Sequence, residues 1–218
     1  MEFREALVQA GRRLLDEGLT AETWGNLSLR DPETGLTYIT PSGMDYREIQ
    51  AADIVALRPD GAVAQGARKP SVEAGLHLAV YARRPEIHAI VHTHPMASMV
   101  FACTGEAIPV LSDEAAQALG GPVPVCDYAL PGTAELAENC AEALKTGMAC
   151  LLRSHGAVCL GRDMAEAFKT AKVLELTAEL YWRIRAMGAR PMPIPEDKVK
   201  YMWDFAQNRY GQGTFPKG

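Results

Sequence analysis

Residues 87–95 read Ile87-His-Ala-Ile-Val-His-Thr-His-Pro95. The run Ile87 to Thr93 predicts a buried strand, apolar except where histidine interrupts it. Pro95 predicts the start of a helix, because proline lacks a ladder N–H but suits a first helical turn. Upstream, Pro70-Ser71 predicts a helix from Val72 to Ala82, with Ser71 as N-cap and Val72, Leu76 and Ala79 on one face. Helix, buried strand and helix in succession indicate an α/β domain, with this strand inside a sheet that helices cover.

The flanking sequence agrees. Phe3, Leu7, Ala10 and Leu14 repeat at helical spacing, and Gly18 is a natural stop. Trp24 to Arg30 alternates like a strand. A turn at Asp31-Pro-Glu-Thr-Gly35 joins it to a second strand, Thr37 to Thr40, and Ile54 to Leu57 reads as a third. Thr133 caps a helix running to Leu144. Ala149 to Arg153 and Ala157 to Leu160 form a strand pair around Ser154-His155-Gly156, and a long helix runs from Asp163 to about Ala186. Arg190 to Pro195 breaks it, and a last short helix precedes the tail. No repeat or linker divides residues 1–218, so one domain with a mixed sheet is expected, the tail starting near residue 196.

Composition narrows the function. A chain of 218 residues with 48% hydrophobic content builds one sizeable core. A net charge of −5 gives no footprint for nucleic acid. The longest apolar stretch, Met96 to Cys103, is too short for a bilayer, and the acid-bearing N-terminus does not read as a signal peptide. Cys103, Cys126, Cys140, Cys150 and Cys159 form no CxxC and read as reduced thiols, so a cytoplasmic location is expected.

The chemistry rests on few residues. His92 and His94 alternate on a strand, so both imidazoles share one face at a spacing that suits two positions of one metal ion. Two satisfied structural histidines would fit the same pattern. His155 sits at a turn, where a histidine commonly has no special role. Glu73 falls in the first turn of a predicted helix, where the dipole alone accounts for an acid. His77 follows at i+4 as a metal ligand, a support or a surface partner, and His88 reads as surface. Asn26, Ser28, Thr40, Ser42 and Gly43 lie in turns that offer donors to an anion, and Ser71 stands at a helix N-terminus.

In combination these residues resemble the class II aldolase/adducin family. The matching pieces are Gly25-Asn26-Leu-Ser28, Ile39-Thr-Pro-Ser-Gly43, Lys69-Pro-Ser-x-Glu73 with His77, and Val91-His-Thr-His94-Pro. Tyr128-x-x-Pro-Gly-Thr133, Ser154-His-Gly156 and the acidic helix after Gly161 follow in family order. The resemblance implies an α/β/α domain with a central, mostly antiparallel sheet. It implies one divalent ion per subunit, Zn²⁺ or else Mn²⁺ or Co²⁺, on His92, His94 and His155. Glu73 would ligate that ion at rest and then act as base. A phosphate pocket would use Asn26, Ser28, Ser42, Gly43 and Ser71, with Thr23 nearby. The implied assembly is a homotetramer with active sites between subunits, and Tyr210 in the tail would reach a neighbour's site to protonate the aldehyde oxygen.

The activity implied is cleavage of a ketose 1-phosphate, of the L-fuculose 1-phosphate type, to dihydroxyacetone phosphate and an aldehyde through an enediolate. Two departures are visible. Val72 follows Ser71 where that branch of the family has a second serine, and Ile108-Pro-Val-Leu-Ser-Asp-Glu114 lacks the branch's tyrosine, leaving Asp113 or Glu114 near its place. These point to a related deoxy or modified sugar phosphate. The alternatives within the family are a pentulose 5-phosphate 4-epimerase, a sugar-acid phosphate decarboxylase and a methylthioribulose phosphate dehydratase. The first carries aspartate at position 73 and the second lysine at position 72. A non-catalytic adducin-like scaffold would lack the metal site.

Overall fold

The computed structural model describes residues 2–208. Among them an eight-stranded sheet has the order β4-β3-β2-β1-β5-β8-β7-β6. The strands are β1 (Asn26–Arg30), β2 (Thr37–Ile39), β3 (Val55–Leu57), β4 (Val63–Gln65), β5 (Ala89–Thr93), β6 (Val125–Cys126), β7 (Ala149–Leu152) and β8 (Gly156–Gly161). Every pairing is antiparallel except β6 with β7. The helices are α1 (Glu2–Asp16), α2 (Ala74–Arg83), α3 (Met96–Thr104), α4 (Asp113–Leu119), α5 (Ala134–Ala143), α6 (Met164–Ala186) and α7 (Glu196–Asn208).

Alternation along β5 builds both layers. Ala89 and Val91 enter the core shared with α1, α3, α4 and α6, whereas Ile90 enters the opposite core with α2 and α5. The result is the α/β class read from sequence, a mixed sheet with helices on both faces. The predicted hairpin pairs Ser28 with Ile39, and Thr133 and Asp163 cap α5 and α6 by accepting from Leu136 N–H and Glu166 N–H.

Some boundaries differ from expectation. The helix expected from Val72 begins at Ala74, with Glu73 at its N-cap position. Ser71 is therefore not the cap; its hydroxyl accepts from Glu73 N–H at 3.3 Å. Val72 lies outside the helix and is 66% exposed, so it is not part of the buried face. α4 was not anticipated, although its signals were present: Ser112 caps it, Asp113 and Glu114 occupy its first turn, and Gly120 ends it in the left-handed region. Edge strand β4 has no apolar alternation to betray it, and β6 has only two residues. The last short helix expected after Pro195 is α7, which packs on α4 of the same chain. No helix among the described residues is long and apolar enough to cross a membrane.

Candidate metal centre and active site

Antiparallel pairing brings distant residues to one end of the sheet. Asn26 opens β1 opposite His92 near the end of β5, and Thr93 pairs with Ala157 just inside the turn between β7 and β8. That turn presents His155, preceded by Ser154 at φ +55°, a sparsely populated conformation for a non-glycine residue. The start of α2 delivers Glu73 to the same place. The ring centroids of His92, His94 and His155 lie 4.7–5.1 Å apart, and their ligating atoms lie within 4.8 Å of one another.

The distances fit a shared cation. His92 Nε2 is 3.0 Å from His94 Nε2 and 3.2 Å from Glu73 Oε2, while His155 Nε2 is 3.3 Å from Glu73 Oε1. Metal–nitrogen bonds of ~2.0–2.1 Å at tetrahedral angles place neighbouring ligand atoms ~3.3 Å apart. His92 Nδ1 lies 2.9 Å from the Ala157 carbonyl, which can only accept, so Nδ1 carries the proton and Nε2 presents its lone pair to the centre. Glu73 Oε1 is buried without a hydrogen-bond partner, an expensive state for a carboxylate oxygen unless a cation faces it.

Electrostatics agree. Burial alone would raise the Glu73 carboxyl, but the His92 and His155 imidazoles and the Asn26 amide hold it well below the usual range. Burial and the neighbouring imidazoles push His94 down to about 3, and burial lowers His155. Burial would lower His92 too, yet the Glu73 carboxylate and the Ala157 carbonyl raise it. His94 and His155 are thus held neutral and Glu73 anionic, the states a divalent ion requires of such ligands.

Two glycines make the approach possible. A Cβ on Gly25 would lie 2.5 Å from the His92 carbonyl oxygen. A Cβ on Gly156 would lie 2.6 Å from the Thr93 carbonyl and 3.0 Å from both His92 and His94 rings. Glu175 of α6 was not singled out from sequence. Its carboxylate accepts from Ala97 N–H at 2.7 Å and Ser98 N–H at 2.8 Å, anchoring α3 directly after His94-Pro95. No local pattern announces it, because the contact spans two elements.

A cavity of about 410 Å³ opens beside the imidazoles. Thr23, Asn26, Ser42, Gly43 and Ser71 line it with Glu73, His94 and His155, and Trp24, Val72 and Pro131 add apolar surface. Ser42 and Ser71 are held together by backbone pairing of two loops, Ser42 N–H to Lys69 carbonyl and Ser71 N–H to Thr40 carbonyl, each 3.1 Å. Ser28 is a correction. It is fully buried, bonds His77 at 2.6 Å and Tyr81 at 2.8 Å, and does not line the cavity, so it is not a phosphate donor. Asn26 borders the cavity; one amide N–H goes to Glu73 at 2.8 Å and its carbonyl to His77 at 2.5 Å. Asp113 and Glu114 open α4, which packs on α6 and α7 rather than at this cavity. Tyr210 lies outside the described residues.

Residues 5–182 match the Class II Aldolase and Adducin N-terminal domain family. The chain belongs to this family. Among curated relatives, the 5-methylthioribulose-1-phosphate/5-deoxyribulose-1-phosphate aldolase of Rhodospirillum rubrum is 39% identical over 198 residues, covering 91% of this chain and 88% of the relative. The 5-deoxy-D-ribulose 1-phosphate aldolase of Bacillus thuringiensis serovar kurstaki is 36% identical over 197 residues, covering 90% and 92%. Among solved structures, an L-fuculose 1-phosphate aldolase superposes with a TM-score of 0.91 at 35% identity, covering 94% of this chain and 96% of that one. Family membership makes this class II aldolase a metal-dependent enzyme of sugar-phosphate chemistry, and the three-histidine site fits that requirement.

Proposed function

We propose that this class II aldolase cleaves a ketose 1-phosphate to dihydroxyacetone phosphate and an aldehyde, and that its substrate is a 5-deoxypentulose 1-phosphate or a near analogue rather than L-fuculose 1-phosphate. The observation that carries the reaction is the convergence of His92, His94, His155 and Glu73 on one point beside a cavity. The names of the two curated relatives and the apolar surface of Trp24, Val72 and Pro131 support the deoxy substrate. A divalent ion held by the three imidazoles would supply Lewis-acid stabilisation of enediolate charge, worth several kcal/mol.

The protein's own groups do the rest. In the condensation direction Glu73 takes a proton from C3 of dihydroxyacetone phosphate; at rest it would help the three imidazoles hold the ion. Such acid–base help contributes ~10²–10⁴-fold. Ser42, Gly43 and Ser71, with Thr23 and the second N–H of Asn26, hold the phosphate. Tyr210, from a neighbouring subunit, delivers a proton to the aldehyde oxygen; cleavage runs these transfers in reverse. Zn²⁺ is the ion of first choice, with Mn²⁺ and Co²⁺ compatible with imidazole and carboxylate. A single domain over residues 1–218, a homotetramer and a cytoplasmic location belong to the same reading. Exposed Trp24 and Val72 at the cavity edge support a subunit boundary there.

The test is a parallel screen of 5-deoxyribulose 1-phosphate, L-fuculose 1-phosphate, L-ribulose 5-phosphate and a sugar-acid phosphate with the metal-loaded enzyme, following triose phosphate, carbon dioxide and epimerised pentulose 5-phosphate. Triose phosphate from the deoxy substrate at the highest kcat/KM is the expected result. Epimerised pentulose 5-phosphate, or carbon dioxide from a sugar-acid phosphate, without triose phosphate would overturn the aldolase reading. Tyr210→Phe should slow cleavage yet leave C3 hydrogen exchange intact; equal loss of both would remove Tyr210 from that role.

A further inference from the structure

A file of buried polar groups runs from Glu73 into the core. Asn26 Nδ2 is 2.8 Å from Glu73 Oε2, and Asn26 Oδ1 is 2.5 Å from His77 Nε2. His77 Nδ1 is 2.6 Å from Ser28 Oγ, which is 2.8 Å from the Tyr81 hydroxyl. Asn26, His77, Ser28 and Tyr81 are all buried, and Ser28, His77 and Tyr81 do not line the cavity.

The proton positions follow from one end. A carboxylate only accepts, so Asn26 must offer its N–H to Glu73 and its carbonyl to His77. That carbonyl also only accepts, so His77 Nε2 carries a proton. His77 is fully buried, and burial, with the nearby His92, pushes it down to about 3, so it is neutral and Nδ1 accepts. Ser28 therefore donates to His77, and Tyr81 donates to Ser28. Each group has one orientation, because reversing any one would set two acceptors or two donors face to face among buried side chains.

We propose that His77, Ser28 and Tyr81 are positioning residues that act through Asn26, locking its amide so that the N–H grips Glu73 Oε2 and leaves Oε1 turned toward the imidazoles. The idea rests on Glu73 being the base, as read above. Without the His77 N–H, the Asn26 amide is free to turn its oxygen to the carboxylate and push it out of place. Supports of this kind around a metal site typically change activity about 10–100-fold.

The experiment uses the metal-loaded enzyme, with C3 hydrogen exchange in dihydroxyacetone phosphate, kcat, KM and metal stoichiometry as readouts. His77→Leu should keep its metal and its KM but lose exchange and kcat about 10–100-fold. His77→Gln should recover most of that loss, because its amide N–H can still reach Asn26, and Ser28→Ala should fall between them. A purely structural role would lower the melting temperature of all three while leaving kcat of the folded enzyme unchanged, and that result overturns the proposal. Nitrogen-15 spectra of histidine-labelled wild-type enzyme give a readout that no variant's folding can spoil: His77 should be protonated at Nε2 and bare at Nδ1, and the opposite tautomer overturns the proposal. Glu73→Gln separates the two ideas. If it loses exchange while His77→Leu does not, the positioning proposal alone falls; if it retains exchange, the base reading falls and takes the proposal with it.

Discussion

Two cavities in this molecule differ in the opposite sense from their sizes. The one beside the imidazoles holds about 410 Å³; the other, between α4 and the start of α7, holds about 810 Å³. Pro109, Pro122, Pro124, Pro193, Gly120 and Gly121 dominate the larger wall, with Glu196 and Lys200 at its edge. Lys200 already pairs with Glu196 at 2.6 Å across the first turn of α7. The smaller cavity instead receives imidazoles from two separate strand ends and a carboxylate from a helix start. Volume follows from how loops cover helix ends, whereas chemistry follows from polar groups forced to converge.

The comparison breaks most sharply through the ligands. Chelation, or His155→Ala, should remove stoichiometric metal and abolish turnover, with chelated wild type recovering on addition of Zn²⁺, Mn²⁺ or Co²⁺; full activity in a metal-free preparation would leave the smaller cavity without its distinction. Next in size, Glu73→Gln should retain metal yet slow C3 exchange by ~10²–10⁴-fold, and exchange at the wild-type rate would remove Glu73 as base. Gly156→Ala sharpens the structural side. Its Cβ would meet the Thr93 carbonyl at 2.6 Å, so we expect a loss of about 1–3 kcal/mol in denaturant titrations and weaker metal retention. The smallest effect belongs to the larger cavity. Lys200→Ala should shift stability by no more than about 0.5 kcal/mol and leave kcat unaltered, and a kcat loss comparable to that of Glu73→Gln would reverse the ranking of the two sites.

Much of the architecture was legible in the chain because it is written in local periods. β1, β5, β7 and β8, and helices α1, α3, α5 and α6, follow apolar spacing, capping residues and proline or glycine boundaries within two residues or so. β4 and β6 were not, since an exposed edge strand and a two-residue strand carry no periodic burial. α4 is harder to see although Ser112 and Gly120 bracket it, because its seven residues, three of them alanine, carry little apolar period. Ser28 looked like a turn hydroxyl open to phosphate; only the packing of α2 across β1, which sets His77 and Tyr81 over it, shows it to be sealed.

The sequence by itself determined the α/β class, the family motifs and the ligand types, because residue identity and spacing along one strand or helix carry that information. Tertiary structure alone decided that Asn26, His92 and His155 share one end of the sheet, since antiparallel register is a property of paired strands and not of any one of them. It also decided which side of each polar group faces the cation site and which faces the core. Hydrogen-bond direction in a dry interior is fixed only when every neighbour of the group is in place.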